Sequence, residues 1–311
     1  MIEENELVIR KIDHFSMYLD KNDPGISSTL LKPKLFKKWH REPDFMDIIQ
    51  KEVNNGDVVL EIGANIGYVS MFLAKYVGEN GKVYAVEPSP RNYEILKKNI
   101  KLNNLTDTIE TSNLAISSEI GVADLNISAE SNLNSFRKTK HTIDTIEVKT
   151  TSIDDFFEDK PSLNFIKMDI EGAEVQALQG INTILDKLDK PFKILMEVHP
   201  MYYEEKSFAR ELERLFSLGF KTKYLVSAGT ATPPFFTERG YKPIKKYRTG
   251  DWTRGLYTNI SNEHVIESTS KVFDNQTFNL PIMSLLKRPK RIFDYKVTSP
   301  KIVRSILIER T

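Results

Sequence analysis

The chain has 311 residues and a formal net charge of +1, with 28% charged residues. This near-neutral balance does not favour nucleic acid as a partner, and the length suits one large domain with appendages. The absence of cysteine excludes disulfides, thiolate metal sites and thiol catalysis. The acidic N-terminus lacks the apolar core of a signal peptide, and no apolar run is long enough to span a membrane, so we expect a cytoplasmic protein.

The first 50 residues predict a helical extension. The apolar residues between positions 9 and 19 are compatible with a short helix, which Asp23-Pro24-Gly25 would end. Glu42-Pro43 then opens a second helix, which places Phe45 and Ile49 on one face. The chain would leave this extension at the first strand of a larger domain.

A strand, a glycine turn and a helix follow from position 58. Residues 58–62 form an apolar run typical of a strand buried on both faces, and Gly63 and Gly67 come after it. Glycines in such a turn let a ligand approach the backbone, and the next helix presents free N–H groups. The spacing differs from the G-x-G-x-x-G of a dinucleotide fold, and Glu61 would repel a pyrophosphate. Glu61 suits a cationic ligand such as S-adenosylmethionine (SAM), with NAD as the alternative.

The next strand supports this interpretation. Residues 82–87 end in Glu87, about 20 residues beyond the turn, where the hydroxyls of a ribose would be held. Glu87 and the glycine turn together favour SAM over NAD. A third strand, residues 108–115, ends at Ala115, which would lie beside the adenine of such a ligand. An ordinary strand end is an equally open interpretation of Ala115.

The chain then alternates between strands and helices as far as residue 260. Residues 118–150 predict an inserted hairpin, and further strands are predicted at 163–169, 192–198, 220–226 and, antiparallel, 254–259. This alternation predicts an α/β fold with a doubly wound, mostly parallel seven-stranded sheet. We therefore assign residues 1–50 to a helical extension, 51–260 to the main domain and 261–311 to a basic extension.

A second set of charged side chains lies near the ends of two of these strands. Alternation places Lys167 and Asp169 on one face of their strand, and Glu197 and His199 on one face of theirs. In neighbouring strands, these groups would meet at the carboxyl edge of the sheet, where open α/β sheets bind ligands. Two acids that begin the next helix would join them: Glu171 and Glu174. Such a cluster could transfer a proton beside a bound ligand.

Plainer interpretations of these residues remain open. Asp169 or Glu171 could cap the following helix, Lys167 could neutralise Glu197, and His199 could be a structural hydrogen-bonding residue. A divalent ion held by Asp169, Glu197 and His199 is a further alternative. Because no dedicated spacing such as H-E-x-x-H is present, we assign no metal.

Two stretches stand apart from the strand–helix pattern. Residues 227–251 form a long connection rich in Gly, Pro and aromatics, which we interpret as a substrate lid rather than a disordered loop. Residues 281–311 contain eight Lys or Arg against Asp294 and Glu309. This basic extension could contact an anionic membrane surface, although a solvated tail or a helix packed on the domain is the plainer interpretation.

Several motifs between residues 40 and 225 resemble those of the FkbM family of SAM-dependent methyltransferases. The matching segments are Glu42-Pro43, residues 60–67 (L-E-I-G-A-N-I-G), 86–88 (V-E-P), 151–156 (T-S-I-D-D-F), 166–174 (I-K-M-D-I-E-G-A-E) and 196–199 (M-E-V-H). The K-x-D-x-E-G-x-E segment is specific, whereas the glycine motif occurs in many methyltransferases. The resemblance implies a class I methyltransferase (Rossmann-like) fold, SAM as donor, and transfer to a hydroxyl, often of a sugar or glycan or of a secondary metabolite.

The resemblance also implies roles for single residues. The methionine part of SAM would be surrounded by the residues of the first motif: Glu61, Gly63, Asn65 and Gly67. Glu87 would hold the ribose, and Asp169 would lie near the sulfonium and the acceptor, with Glu197 and His199 opposite. With an unperturbed pKa near 6.5, His199 is the best-matched base for the alcohol proton, and Asp169 is second. The alternatives are an NAD-dependent oxidoreductase and a catalytically inactive SAM-binding scaffold.

Overall fold

The computed structural model describes residues 4–32, 41–188, 190–249, 252–273 and 300–311. Its strands are β1 (Leu7–Ile12), β2 (Phe15–Asp20), β3 (Val58–Ile62), β4 (Lys82–Val86), β5 (Ile109–Ser112), β6 (Ala115–Ile116), β7 (Gly121–Ser128), β8 (Thr142–Thr151), β9 (Phe165–Met168), β10 (Phe192–Glu197), β11 (Lys221–Ser227), β12 (Lys245–Thr249), β13 (Trp252–Tyr257) and β14 (Val303–Arg310). Its helices are α1 (Ile26–Leu31), α2 (Pro43–Glu52), α3 (Tyr68–Val77), α4 (Pro90–Leu102), α5 (Ile153–Phe156), α6 (Glu174–Gln179), α7 (Thr183–Asp186), α8 (Glu205–Ser217), α9 (Pro234–Thr237) and α10 (Asn262–Ser270). No helix in these ranges is long and apolar enough to cross a bilayer.

The main sheet is mixed and, within the described residues, has nine strands in the order β12-β13-β11-β14-β10-β9-β3-β4-β5. The five strands from β10 to β5 are parallel, and β14 is antiparallel to both of its neighbours, β10 and β11. Val59 faces one hydrophobic core and Leu60 the other, because successive side chains of β3 point to opposite faces. The predicted α/β class is confirmed, whereas the sheet has two strands more than predicted.

The N-terminal segment is a hairpin, so the helix predicted over residues 9–19 is wrong. Strands β1 and β2 pair antiparallel, and Asp13 adopts a left-handed conformation (φ 53°) in the turn between them. The side chain of Asn99 in α4 donates to the main-chain oxygen of Tyr18 (3.2 Å) and accepts from the Tyr18 N–H (2.6 Å). In β2, the buried apolar residues Met17 and Leu19 follow the two-residue period of a strand, whereas β1 buries only Leu7 and Ile12. Contact with α4 therefore helps to select this conformation.

The C-terminal segment is not a separate extension, because β14 lies inside the main sheet. Ser305, Ile306, Leu307 and Ile308 are fully buried there. The predicted boundary at residue 260 therefore does not separate residues 303–310 from the domain. The predicted antiparallel strand at 254–259 is present as β13, which lies between the edge strand β12 and β11. Residues 281–293, where we expected the membrane contact, lie outside the described residues.

The predicted inserted hairpin is confirmed as β7 and β8, which pair antiparallel and form a separate three-stranded sheet with β6. The third predicted strand is divided between β5 and β6. The helix expected from Glu171 begins only at Glu174 and is interrupted at Gly180, where an added Cβ would lie 2.3 Å from the Ser117 oxygen. The connection 227–251 contains α9 and β12 and is therefore partly regular.

Candidate active site

A cleft with about 560 Å³ of empty space, part of it open to solvent, lies at the carboxyl ends of β3, β4 and β9. The loop between β7 and β8 covers it, through Ser131, Asn132 and Asn134. The predicted site residues that line it are Gly63, Asn65, Glu87, Ala115 and Asp169. The predicted site residues that do not line it are Glu61, Gly67, Glu197 and His199. None of the described residues of the 227–251 connection lines this cleft, so the geometry does not favour a lid there.

The glycine turn brings two strand ends into contact. Gly63 has a positive φ of 81°, and a Cβ added there would lie 2.1 Å from the Asp169 oxygen. Only glycine fits this close approach. Gly67 (φ 89°) precedes α3, and its added Cβ would meet Leu96 of α4 at 2.7 Å. Gly63 therefore shapes the cleft, whereas Gly67 lets two helices pack closely.

Glu61 supports this turn from beneath and does not reach the cleft. Its side chain is fully buried, with Oε1 3.5 Å from Lys167 Nζ and Oε2 accepting a hydrogen bond from Ser70 Oγ at 2.5 Å. Lys167 also donates to the Gly63 oxygen (3.1 Å). Burial raises the pKa of Glu61, although Lys167 opposes the shift. Glu61, which we predicted to contact the ligand, is thus not among the residues that line the cleft, and it lies opposite Lys167 in the β3–β9 register.

Glu87 lies where the sequence predicted, in the wall of the cleft. Its Oε2 accepts from the Asn65 N–H (2.8 Å), and its Oε1 accepts from the Ser89 N–H (3.0 Å) and Asn92 Nδ2 (3.5 Å). Burial raises the pKa of Glu87 to about 7, against the opposing effect of these hydrogen bonds. The carboxylate is therefore fixed in orientation at the mouth of the glycine turn.

His199 is surrounded by carboxylates. Its Nδ1 lies 2.6 Å from Glu174 Oε1, and its Nε2 lies 3.5 Å from Glu171 Oε2 and 3.4 Å from Glu197 Oε1. Burial and Lys301 oppose protonation, but Glu171 and Glu174 outweigh them and raise the pKa of His199 to about 10. An imidazole that already carries its proton at neutral pH cannot accept another. This conflicts with the expectation that His199 is the base.

Glu197 is held by cations that the sequence analysis did not connect with it. Lys301 Nζ lies 2.8 Å from its Oε1, and Arg304 forms two contacts of 2.8 Å, one to each oxygen. Burial alone would raise the pKa of Glu197, yet Arg304 and Lys301 hold it well below the ordinary value. Arg304 also contacts Glu42 at 2.8 Å. Glu197 is therefore a fixed anion behind the cleft, and Lys167 is not its partner.

Two carboxylates of the predicted cluster do face the cleft: Asp169 and Glu171. Burial and then Glu197 raise the pKa of Asp169. Burial also raises the pKa of Glu171 to about 7, with His199 opposing. The backbone of Glu171 is left-handed (φ 48°), and its main-chain oxygen accepts a hydrogen bond from Ser135 Oγ (2.6 Å). The sequence grouped Glu171 with this edge but did not identify it as a catalytic residue.

A metal ion has a different donor set here from the one considered in the sequence. Asp169, Glu171 and His199 each offer one ligand atom, and these atoms lie within 4.8 Å of one another. Glu171 thus replaces Glu197, whose oxygens are taken by Lys301 and Arg304. Both ring nitrogens of His199 also lie within 3.5 Å of carboxylate oxygens of Glu171, Glu174 or Glu197.

Comparison with known proteins agrees with the chemistry of this cleft. The chain is 26% identical over 163 residues to the hexuronic acid methyltransferase AglP of Haloferax volcanii, covering 51% of this chain and 62% of that protein. It is also 26% identical over 156 residues to the methyltransferase sdnD of Sordaria araneosa, covering 40% and 60%. The chain thus spans about three fifths of the length of these relatives.

Among solved structures, a SAM-dependent O-methyltransferase from Thermotoga maritima shares 16% identity over 71% of this chain and 66% of that chain, with a TM-score of 0.39. The TYW2 protein of M. jannaschii, solved with AdoMet, shares 18% identity over 84% and 90%, with a TM-score of 0.37. Residues 61–222, which are more than half of the chain, match the family described as "Methyltransferase FkbM domain". The chain therefore belongs to the FkbM methyltransferase family.

Proposed function

We propose that this protein is a SAM-dependent O-methyltransferase that acts on a hydroxyl of a sugar, a glycan or a secondary metabolite. One observation carries the proposal: a single cleft is lined by the glycine turn and Glu87 and also by the two carboxylates Asp169 and Glu171. The first pair of features suits a nucleoside with a cationic substituent. The second pair suits the removal of a proton from an acceptor.

The residues of the cleft fit the cofactor. Glu87 would accept hydrogen bonds from the ribose hydroxyls, and Gly63 would let the ligand pass close to the backbone, where a side chain has no room. Asn65 and Ala115 would contact the two ends of the molecule, and Asp169 would face its positive charge. SAM supplies a methyl group that is already activated by the sulfonium. The protein's task is therefore to align the acceptor, a contribution of up to about 7–11 kcal/mol.

We assign the proton transfer to Glu171, with Asp169 as the second candidate. A base works best when its pKa lies near the working pH, and the pKa of Glu171 is about 7. Transfer would break the bond between the methyl carbon and the sulfonium sulfur, leave a neutral thioether and form the new bond to the acceptor oxygen. The acceptor hydroxyl would pass its proton to a Glu171 carboxylate oxygen. Protonated His199, 3.5 Å from Glu171 and fixed by Glu174, keeps that carboxylate in place.

A carbohydrate acceptor is supported by the relative whose name includes hexuronic acid. The oxidoreductase alternative is less favoured because the chain lacks the glycine pattern of dinucleotide folds. A scaffold that binds SAM without transferring its methyl group remains as an outcome of the test.

The test combines binding and turnover. Calorimetry with SAM should show one site in the wild type, a loss of affinity in Glu87→Gln, and no change in Glu110→Gln, an exposed acid on β5. Labelled SAM with a panel of neutral sugars, uronic acids and hydroxylated metabolites should give a methylated product, and Glu171→Gln should lower kcat about 10²–10⁴-fold. Fluorescence titration with NADH checks the dinucleotide alternative. Absence of SAM binding would refute the proposal, and binding without transfer to any acceptor would favour the scaffold.

A further inference from the structure

We propose that the N-terminal segment completes the cofactor site, with Asp23 as a positioning residue that holds the Ser131 peptide over the cleft. This inference rests on the proposed function, because it concerns the binding of the same cofactor. The segment meant is residues 20–27, between β2 and α1. By the cover of the cleft we mean the loop of residues 129–134 between β7 and β8.

Asp23 joins these two segments, which are 108 residues apart in the chain. Its Oδ1 accepts from the N–H of Gly25 (2.9 Å) and of Ser131 (3.0 Å). Its Oδ2 accepts from the Ser27 N–H (2.8 Å) and from Ser131 Oγ (2.9 Å). Asp23 is only 7% exposed. Two of its four hydrogen bonds therefore order its own turn, and the other two hold Ser131.

The main-chain oxygen of Ser131 is held by two residues that line the cleft. The Ser131 oxygen accepts from Asn65 Nδ2 (3.1 Å) and from Asn92 Nδ2 (3.1 Å). Both asparagines line the cleft and donate to Glu87, Asn65 through its backbone N–H. A single residue, Ser131, thus links the predicted ribose-binding carboxylate of Glu87, through two asparagines, to the Asp23 carboxylate of the N-terminal segment.

The two segments also fit together sterically. A Cβ added to Gly25 would lie 2.4 Å from Asn132 Oδ1 and 3.0 Å from the Ser131 nitrogen. Glycine at position 25 therefore gives the two segments the space to approach each other closely. Asp20, at the end of β2, pairs with Arg91 of α4 at 2.6 Å, which anchors the segment beside the cleft.

Removing the Asp23 carboxylate takes away the acceptor of both the N–H and the hydroxyl of Ser131. The cover would then be held from one side only, and the cofactor would dissociate faster. Hydrogen bonds to a charged acceptor have typical net values that correspond to about tenfold or more in an equilibrium constant. We therefore expect the Kd for SAM to rise about tenfold or more in Asp23→Ala.

The experiment compares four variants of the full chain with the wild type by calorimetry with SAM. Asp23→Ala should raise the Kd, and Asp23→Asn should restore much of the affinity because its amide oxygen can still accept from the Gly25 and Ser131 N–H groups. Ser131→Ala removes only the hydroxyl and leaves the turn of residues 23–27 intact, so it should weaken binding without loss of folding. Asp13→Asn, a charge change at an exposed position in the turn of the β1–β2 hairpin, outside residues 20–27 and outside the lining of the cleft, is the matched control.

A second measurement separates positioning from general destabilisation. Hydrogen exchange should be faster at residues 129–134 in Asp23→Ala, with exchange in β3 and β4 unchanged. In turnover, KM for SAM should rise while kcat at saturating SAM stays the same. If the wild type binds SAM and folded Asp23→Ala and Ser131→Ala bind it equally well, this inference alone fails. If the wild type binds no SAM, the proposed function fails, and this inference fails with it.

Discussion

Replacing Arg304 with methionine should destabilise the protein strongly, because this side chain neutralises several acids behind the cleft. Its guanidinium contacts both oxygens of Glu197 and one of Glu42, each at 2.8 Å, and its side chain is 13% exposed. In Arg304→Met, the methionine side chain would keep much of the volume but none of the charge. Glu197 would then retain Lys301 and His199, whereas Glu42 would keep Arg41 at 3.9 Å and the more remote Arg254.

Breaking a buried ion pair by removing one partner typically costs about 3–5 kcal/mol, since the other charge stays buried. For domains of about 150–250 residues, each kcal/mol lowers Tm by about 2–4 °C, which gives a fall of about 6–20 °C. Arg304→Lys keeps the charge but loses the paired geometry, so it should give an intermediate value. Arg248→Met, an exposed position on β12, is the matched control and should change Tm by little.

The pH dependence supplies an independent check. The pKa of Glu197 lies well below its ordinary value in the folded protein, because Arg304 and Lys301 outweigh the effect of burial. A depressed folded pKa gives stability that is present above the unfolded pKa, about 4.3, and is lost as pH falls through the folded pKa. The stability difference between wild type and Arg304→Met should therefore be largest near neutral pH and shrink below about pH 4. Equal Tm values for Arg304→Met and Arg248→Met at pH 7 would refute this reasoning.

Three further outcomes follow from the site. The kcat/KM of the wild type should fall as pH drops below about 7, as Glu171 gains a proton, and Glu171→Gln should lose this dependence in an initial-rate assay. Gly63→Ala should destabilise more than Gly56→Ala in urea unfolding, because both have positive φ but only Gly63 lacks space for a Cβ. The pKa of His199 is raised to about 10 in the folded protein. Protonation of His199 therefore stabilises the fold fully below pH ~6.5 and progressively less as the pH rises towards 10. His199→Gln should flatten this decline of Tm with pH in thermal melts.

The predicted residues that the structure places at the cleft are those set by local patterns. The glycine turn follows from an apolar strand and two glycines, and Glu87 follows from the length of one strand–turn–helix unit. Both are decided within about 30 residues of chain. The inserted hairpin was likewise predicted from its own residues, and the structure contains it as β7 and β8.

The parts that were missed depend on partners far away in the chain. Arg304 lies 107 positions from Glu197. Its segment resembles a basic tail by its charges, whereas residues 305–308 form a continuous buried run within β14. The contact of Glu61 depends on the register of β3 against β9, which places it opposite Lys167. The hairpin at residues 7–20 depends on packing against α4. No local signal specifies these pairings, since both partners must be placed first.

The distribution of charge behind the cleft decides which groups can exchange protons. Arg304 and Lys301 keep Glu197 ionised, and Glu171 and Glu174 keep His199 protonated, so both residues have a fixed charge near neutral pH. The two acids with raised pKa values in this cluster, Asp169 and Glu171, are those that line the cleft. Environments that separate pKa values in this way commonly mark the acid and base of an active site. Burial raises the pKa of Glu171 to about 7, so Glu171 can gain and lose a proton near neutral pH, which favours it over His199 as the base.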